Sequence, residues 1–187
     1  MRLFWNASRS ASSSVSGGPT PPSAGEAVGA SPAALTIAAL LAVSTIVACG
    51  GRRIPGTDIR DTSDTRAIVA AIDGYRRAAE QRDPGAVLAL VSQKYFDDAG
   101  TPDPADDLDY QHLQKRLAGD YKNITALRLD IAVKNVTVDG DQALAYVFYD
   151  QYYRIATKAG EVAKQASDSH RMRFVREGGG WRFLSGL

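Results

Sequence analysis

Cysteine is nearly absent: Cys49 is the single one in 187 residues. That excludes an intrachain disulfide framework, a zinc cluster and a CxxC redox pair. An excess of one charge is missing as well. The chain carries 22 Lys and Arg against 21 Asp and Glu. With Arg2 and Arg9 set aside on one side and Glu26 on the other, residues 49–187 balance to zero. A general nucleic-acid binder shows a basic surplus, so no nucleic-acid partner is expected. Long apolar runs are scarce too. The one candidate, Ala33–Cys49, has 17 residues and sits at the lower edge of what a membrane-spanning helix requires.

What that run has is a particular ending. Ile46-Val47-Ala48-Cys49 places an aliphatic residue, a tolerant position and a small residue before the cysteine. It resembles the lipobox of bacterial lipoproteins, in which a peptidase needs a small side chain before its cut and the next thiol takes the lipid. The resemblance implies cleavage before Cys49, lipidation of Cys49 and residence in the bacterial cell envelope as a lipid-anchored protein, on the outer rather than the inner membrane. Two alternatives stay open: an uncleaved transmembrane anchor and plain secretion. Arg52, Arg53, Arg60 and Arg66 follow the run, and under the positive-inside bias an anchor would keep the domain cytoplasmic.

Residues 1–32 are rich in Ser, Gly, Ala and Pro and read as a disordered leader. They suit a signal n-region poorly, which is explained by a start codon set too early or by an unusually extended leader. Residues 33–48 form the apolar signal segment, 49–63 a lipidated tether without periodicity, and 64–187 the folded domain.

Within that domain, Ile68, Ile72, Tyr75 and Ala79 recur at helical spacing and predict a first helix from about Thr65 to Arg82, capped by Asp64 or Ser63. Asp83 caps and Pro84 opens a second helix, expected to end near Gln93. Six aspartates crowd Asp97–Asp109. Their spacing fits no calcium loop, and Asp103-Pro104 reads instead as the start of a third helix that buries Tyr110, Leu113, Leu117 and Tyr121 and leaves His112 in solvent. From Ala126 the period becomes two. Leu127, Leu129, Ile131 and Val133 alternate with polar residues, a bulge is expected at Lys134-Asn135, and Asp139-Gly140-Asp141 turns the chain. Gln142–Thr157 is a long strand apolar on both faces, a third strand holds Met172 and Phe174, and Trp181–Leu184 is the fourth. The fold class is therefore α+β: three helices packed on a four-stranded antiparallel sheet.

This order resembles the nuclear transport factor 2-like superfamily. Arg82-Asp83-Pro84-Gly85 ends the first helix, Val138-Asp139-Gly140-Asp141 forms the hairpin, and Gly180-Trp181-Arg182-Phe183 leads the last strand. The resemblance implies a curved sheet wrapped on helices as a cone, in a family that holds isomerases, cyclases and dehydratases beside non-catalytic binding modules.

Residues facing such a cone, the candidate ligand pocket, are Tyr75, Tyr95, Tyr110, Met172, Phe174 and His170. Asp98 and Asp150 are the carboxylates nearest its ends, and they assemble into no dyad with His170. No catalytic residue, metal ligand or cofactor is assigned. The expected function is non-catalytic binding of a small apolar ligand or an envelope partner, with a homodimer through the outer sheet face; the alternative is a cone enzyme using acid–base catalysis. Arg171, Arg173, Arg176 and Arg182 are expected to cluster on that outer face. Trp181 is expected to pack on the first helix near Tyr75 or Ala79.

Overall fold

The computed structural model describes residues 51–187. The expected leader, the apolar segment and Cys49 all lie outside those residues. Helix α1 runs Ser63–Glu80 and buries Ile68, Ile72, Tyr75 and Ala79, the stripe its spacing predicts. Its cap is Thr62 rather than Asp64: Thr62 and Thr65 exchange a capping box, which satisfies two N-terminal groups at once. Asp64 is free for other work because of it. The helix ends with Arg82 in the left-handed region at φ 56°, a conformation that costs a non-glycine residue about 1–3 kcal/mol. In return its guanidinium donates to the carbonyls of Ile124 (3.1 Å) and Thr125 on the first long strand.

The stretch before α1 is more than a plain tether. Arg53 and Arg60 form an antiparallel bridge, Ile54 N–H donates to Ile59 O at 2.9 Å, and the Ile59 side chain is buried.

Helix α2, Pro84–Leu88, is capped by Asp83 as expected but stops well short of Gln93. Backbone groups far along the chain claim the residues after it: Ser92 N–H donates to Phe183 O, and Phe183 N–H to Leu90 O, both at 2.9 Å. Strands β1 (Phe96–Asp97) and β2 (Leu108–Asp109) then pair as a short hairpin. Asp103 opens only a single turn of 3-10 helix over Pro104–Asp106. The third helix, α3, starts later, at Tyr110–Asn123, and its cap is Asp109, whose carboxylate accepts from His112 N–H at 2.8 Å. Several aspartates in this loop accept local N–H groups in the same way, among them Asp97, Asp98 and Asp103. His112 is exposed.

The sheet is an antiparallel meander, β3 (Ile124–Asp139), β4 (Gln142–Thr157), β5 (Gly160–Glu177) and β6 (Gly180–Ser185), in sequential order. β3 and β4 pair with register shifts at Thr125 and Lys134, the second where the alternation slips in the sequence. Such bulges bend a strand. On β4 the inner face, toward the helices, carries Ala143, Ala145, Val147, Tyr149, Gln151 and Tyr153, all buried. The other face keeps Tyr146 and Tyr152 exposed. The core lies between the inner sheet face and the buried stripes of α1 and α3.

Two side-chain expectations are corrected. The Trp181 indole donates to Asp64 in the first turn of α1 (3.2 Å) and lies 4.5 Å under the Arg176 guanidinium. Tyr75 instead meets Phe183, two residues on, at 5.7 Å between rings. The arginine cluster also divides. Arg171 and Arg173 stand on the outer face, but Arg176 pairs with Asp64 and Asp141, and Arg182 donates to Ala89 O.

Candidate functional site

The strands and helices converge on an interior filled by rings. Phe174 and Phe183 are 4.6 Å apart, Tyr75 packs on Phe183, and Tyr95, Tyr121, Tyr149 and Tyr153 are buried around them. Burial pushes the phenols of Tyr75, Tyr95, Tyr121 and Tyr153 upward, because a phenolate would lose its hydration there. They stay protonated at neutral pH and can offer hydrogen bonds but no base. The Tyr95 hydroxyl accepts from Leu187 N–H (3.1 Å), and Asp97 accepts from Gly186 N–H (2.9 Å). Together they hold residues 186–187 in place.

Of the candidate pocket residues, Tyr75, Tyr95, Met172 and Phe174 meet in this core, and Tyr110 packs against it half-buried. His170 shares the inner face of β5 with Met172 and Phe174, opposite Val147, but is only half-buried. It lines an open hollow that also touches Phe96, Asp97 and Asp98. Asp150 is on the outer face, where its carboxylate accepts the Ser167 hydroxyl.

Sequence reasoning passed over Gln151. It is fully enclosed, between Tyr149 and Tyr153 on β4, and neither end of its amide has a hydrogen-bond partner. A buried amide left so costs about 1–3 kcal/mol, which makes it a polar point in an otherwise apolar interior. It continues the inner face of β4 beyond Tyr149.

No family model and no curated protein matches the chain. Solved structures do. A conserved protein from Planctomyces limnophilus aligns over 65% of this chain and 91% of its own, at TM-score 0.56 and 10% identity. A proposed scytalone dehydratase from Novosphingobium aromaticivorans aligns over 65% and 80%, at TM-score 0.56 and 14% identity. A proposed dehydratase of the nuclear transport factor 2-like family from Streptomyces avermitilis aligns over 66% and 93%, at TM-score 0.50 and 18% identity. The domain has the nuclear transport factor 2-like fold. At these identities the likeness concerns the fold alone, and folds of this breadth host unrelated functions. The α+β class and the four-stranded antiparallel sheet are as expected for the nuclear transport factor 2-like architecture, with a shorter second helix and a later third one.

Proposed function

We propose that this protein is a lipid-anchored module of the bacterial cell envelope, held at the outer membrane through Cys49, whose nuclear transport factor 2-like domain binds an envelope partner without catalysis. The observation that carries the non-catalytic reading is the filled interior. An acid–base enzyme needs a titratable group enclosed beside its substrate, since burial brings that group into its working range. Among the described residues the titratable side chains that are fully buried are tyrosines, and burial moves those with a resolved shift away from neutrality. A filled interior also favours a partner over a small apolar ligand. The outer face offers it Leu144, Tyr146, Phe148 and Tyr152 along the central strand, with Tyr146 and Tyr152 exposed. Exposed aromatics on a polar surface are the usual anchors of an interface.

The enzyme reading is supported by a different observation: His170 and Asp98 line one hollow, and some structural neighbours are named as dehydratases. In-cell photocross-linking from position 146 of the full chain separates the two. A discrete adduct with an envelope protein is expected; an adduct of two copies assigns the face to a homodimer, and no adduct overturns the binding surface. Intact mass of the membrane fraction tests the anchor. A lipidated chain beginning at Cys49 is expected, and a chain that keeps residues 1–48 overturns it in favour of an uncleaved transmembrane anchor.

A further inference from the structure

Strand β5 has an open edge. From Arg173 to Glu177 it pairs with β6, and at Arg171–Met172 the chain's last residues close over it. There a Cβ on Gly186 would stand 2.2 Å from Arg171 O, so only glycine fits. From Gly160 to His170, β5 pairs with β4 on one side and with no strand of the described residues on the other. Every residue from Gly160 to Ser169 except Ala166 is exposed, and the stretch holds no proline and no register shift. One of its backbone N–H groups, that of Ser169, is met by a side chain, the preceding Asp168 (2.7 Å). Such an edge is a template for another strand.

Its charges say which strand. Glu161, Lys164, Asp168 and Arg171 alternate in sign and are spaced symmetrically about Ala166. Laid antiparallel on itself with Ala166 at the centre, the open edge overlaps from Val162 to His170 and sets Lys164 opposite Asp168 of a second copy. By symmetry that pairing occurs twice. Beside it Ala163 meets Ser169 and Gln165 meets Ser167, and Val162 meets His170 at either end. Centring on Lys164 would set two ammonium groups face to face, and centring on Asp168 two carboxylates. Centring on Gln165 sets Lys164 against Ala166, and centring on Ser167 sets it against His170. Directly opposed unlike charges stabilise a strand pair and like charges destabilise it. Of these registers only the one centred on Ala166 sets unlike charges opposite each other.

We infer that two copies of this protein pair edge to edge through β5, antiparallel about Ala166, joining their sheets into one of eight strands. Asp168 then turns from its own chain's Ser169 to Lys164 of the second copy. The pairing leaves the outer sheet face uncovered, so it stands or falls separately from the partner reading above.

The test is disulfide trapping in the full chain, with the parent chain and its Cys49 as baseline. Opposed residues in an antiparallel pair have Cα atoms about 4.5–5.5 Å apart, within disulfide reach. Ala166→Cys is therefore expected to form a covalent dimer on mild oxidation. Val162→Cys, exposed on the same edge, faces His170 of the second copy. The two Val162 positions lie eight residues apart along the pair, about 27 Å, so no covalent dimer above baseline is expected there. Adding Lys164→Asp to Ala166→Cys should cut trapping at least about tenfold, and further adding Asp168→Lys should restore it. Absence of a dimer at 166, equal trapping at 162 and 166, or trapping indifferent to the charge reversal would each overturn the pairing.

Discussion

Strands β3 and β5 border the same sheet, yet their outer edges are finished differently. β3 is stitched to the end of α1: Arg82 takes the carbonyls of Ile124 and Thr125, and Glu80 accepts the Leu129 N–H at 3.0 Å. β6 covers the last part of β5, and its own free side is closed by Leu90–Ser92. Along Gly160–His170 no strand of the described residues lies on that side. Where side chains from the helices occupy an edge, that edge serves the stability of the fold. Where they leave it bare, with charges in a self-complementary order, the edge is available for assembly. Substitutions at the closed edges should therefore damage folding, and those at the open edge should not.

The largest effect is expected from Phe183→Ala. Phe183 is fully buried against Phe174 and Tyr75, and its backbone makes both bonds to the Leu90–Ser92 strip. Truncating a buried Phe costs about 3–5 kcal/mol, a large share of the roughly 5–15 kcal/mol a domain possesses. Urea unfolding of the full chain should show the loss as a midpoint lowered by about 2 M, for a slope near 2 kcal/mol per molar. An unchanged midpoint would mean that the closed end does not depend on this ring.

A smaller effect is expected from Glu80→Ala. The Glu80 carboxylate accepts from Leu129 N–H and, through its other oxygen, pairs with Arg76 at 2.7 Å. Removing it strands a partly buried backbone donor, at about 1–3 kcal/mol. Glu80→Gln keeps an oxygen for Leu129 and should recover much of that loss. Amide exchange at Leu129 checks the assignment: it should speed up in the alanine variant and not in the glutamine one. If both variants exchange alike, the ion pair with Arg76 matters more than the edge bond.

The contrast between the edges also marks what was legible in the sequence. Period-two alternation located β3 and the bulge at Lys134, because strand register is a local property wherever one face is buried, and the turn residues Asp139-Gly140-Asp141 marked where β4 begins. Which face of β4 turned inward was not legible, since Leu144, Tyr146 and Phe148 are as apolar as Val147 and Tyr149. The helix ends were misread for a related reason. Asp64 is a good cap by type, yet it binds Trp181 and Arg176, more than a hundred residues away, and the capping fell to Thr62. Six neighbouring aspartates offered several equivalent caps, and only the pairing of Leu108–Asp109 with Phe96–Asp97 selected Asp109. Helix α2 stopped early because Phe183, far along the chain, claimed Leu90 and Ser92. Of the candidate pocket, the aromatic core was legible from periodicity, whereas the enclosed amide of Gln151 was not sought, because polar residues on a strand are expected outside.

The smallest effect concerns pH. Glu177 ends β5 and faces the Leu90–Lys94 segment, with Lys94 Nζ 3.2 Å away. Hydrogen bonds from Ser92 and then Lys94 hold its carboxyl below the ordinary value. A carboxyl with a lowered folded-state pKa contributes stability that is fully present above its unfolded value, near pH 4.5, and is lost as pH falls through the folded one. Glu177→Gln lacks that contribution at neutral pH and cannot lose it in acid. The thermal midpoints of the parent and variant chains should differ slightly at pH 7 and converge below about pH 4. Lys94 is exposed to solvent and Glu177 partly so, and 1 M salt should shrink the difference at pH 7. Profiles that run parallel from pH 7 to pH 3 would show that Ser92 and Lys94 do not tie this strip to β5, and that the closed edge is held by the backbone bonds to Phe183 alone.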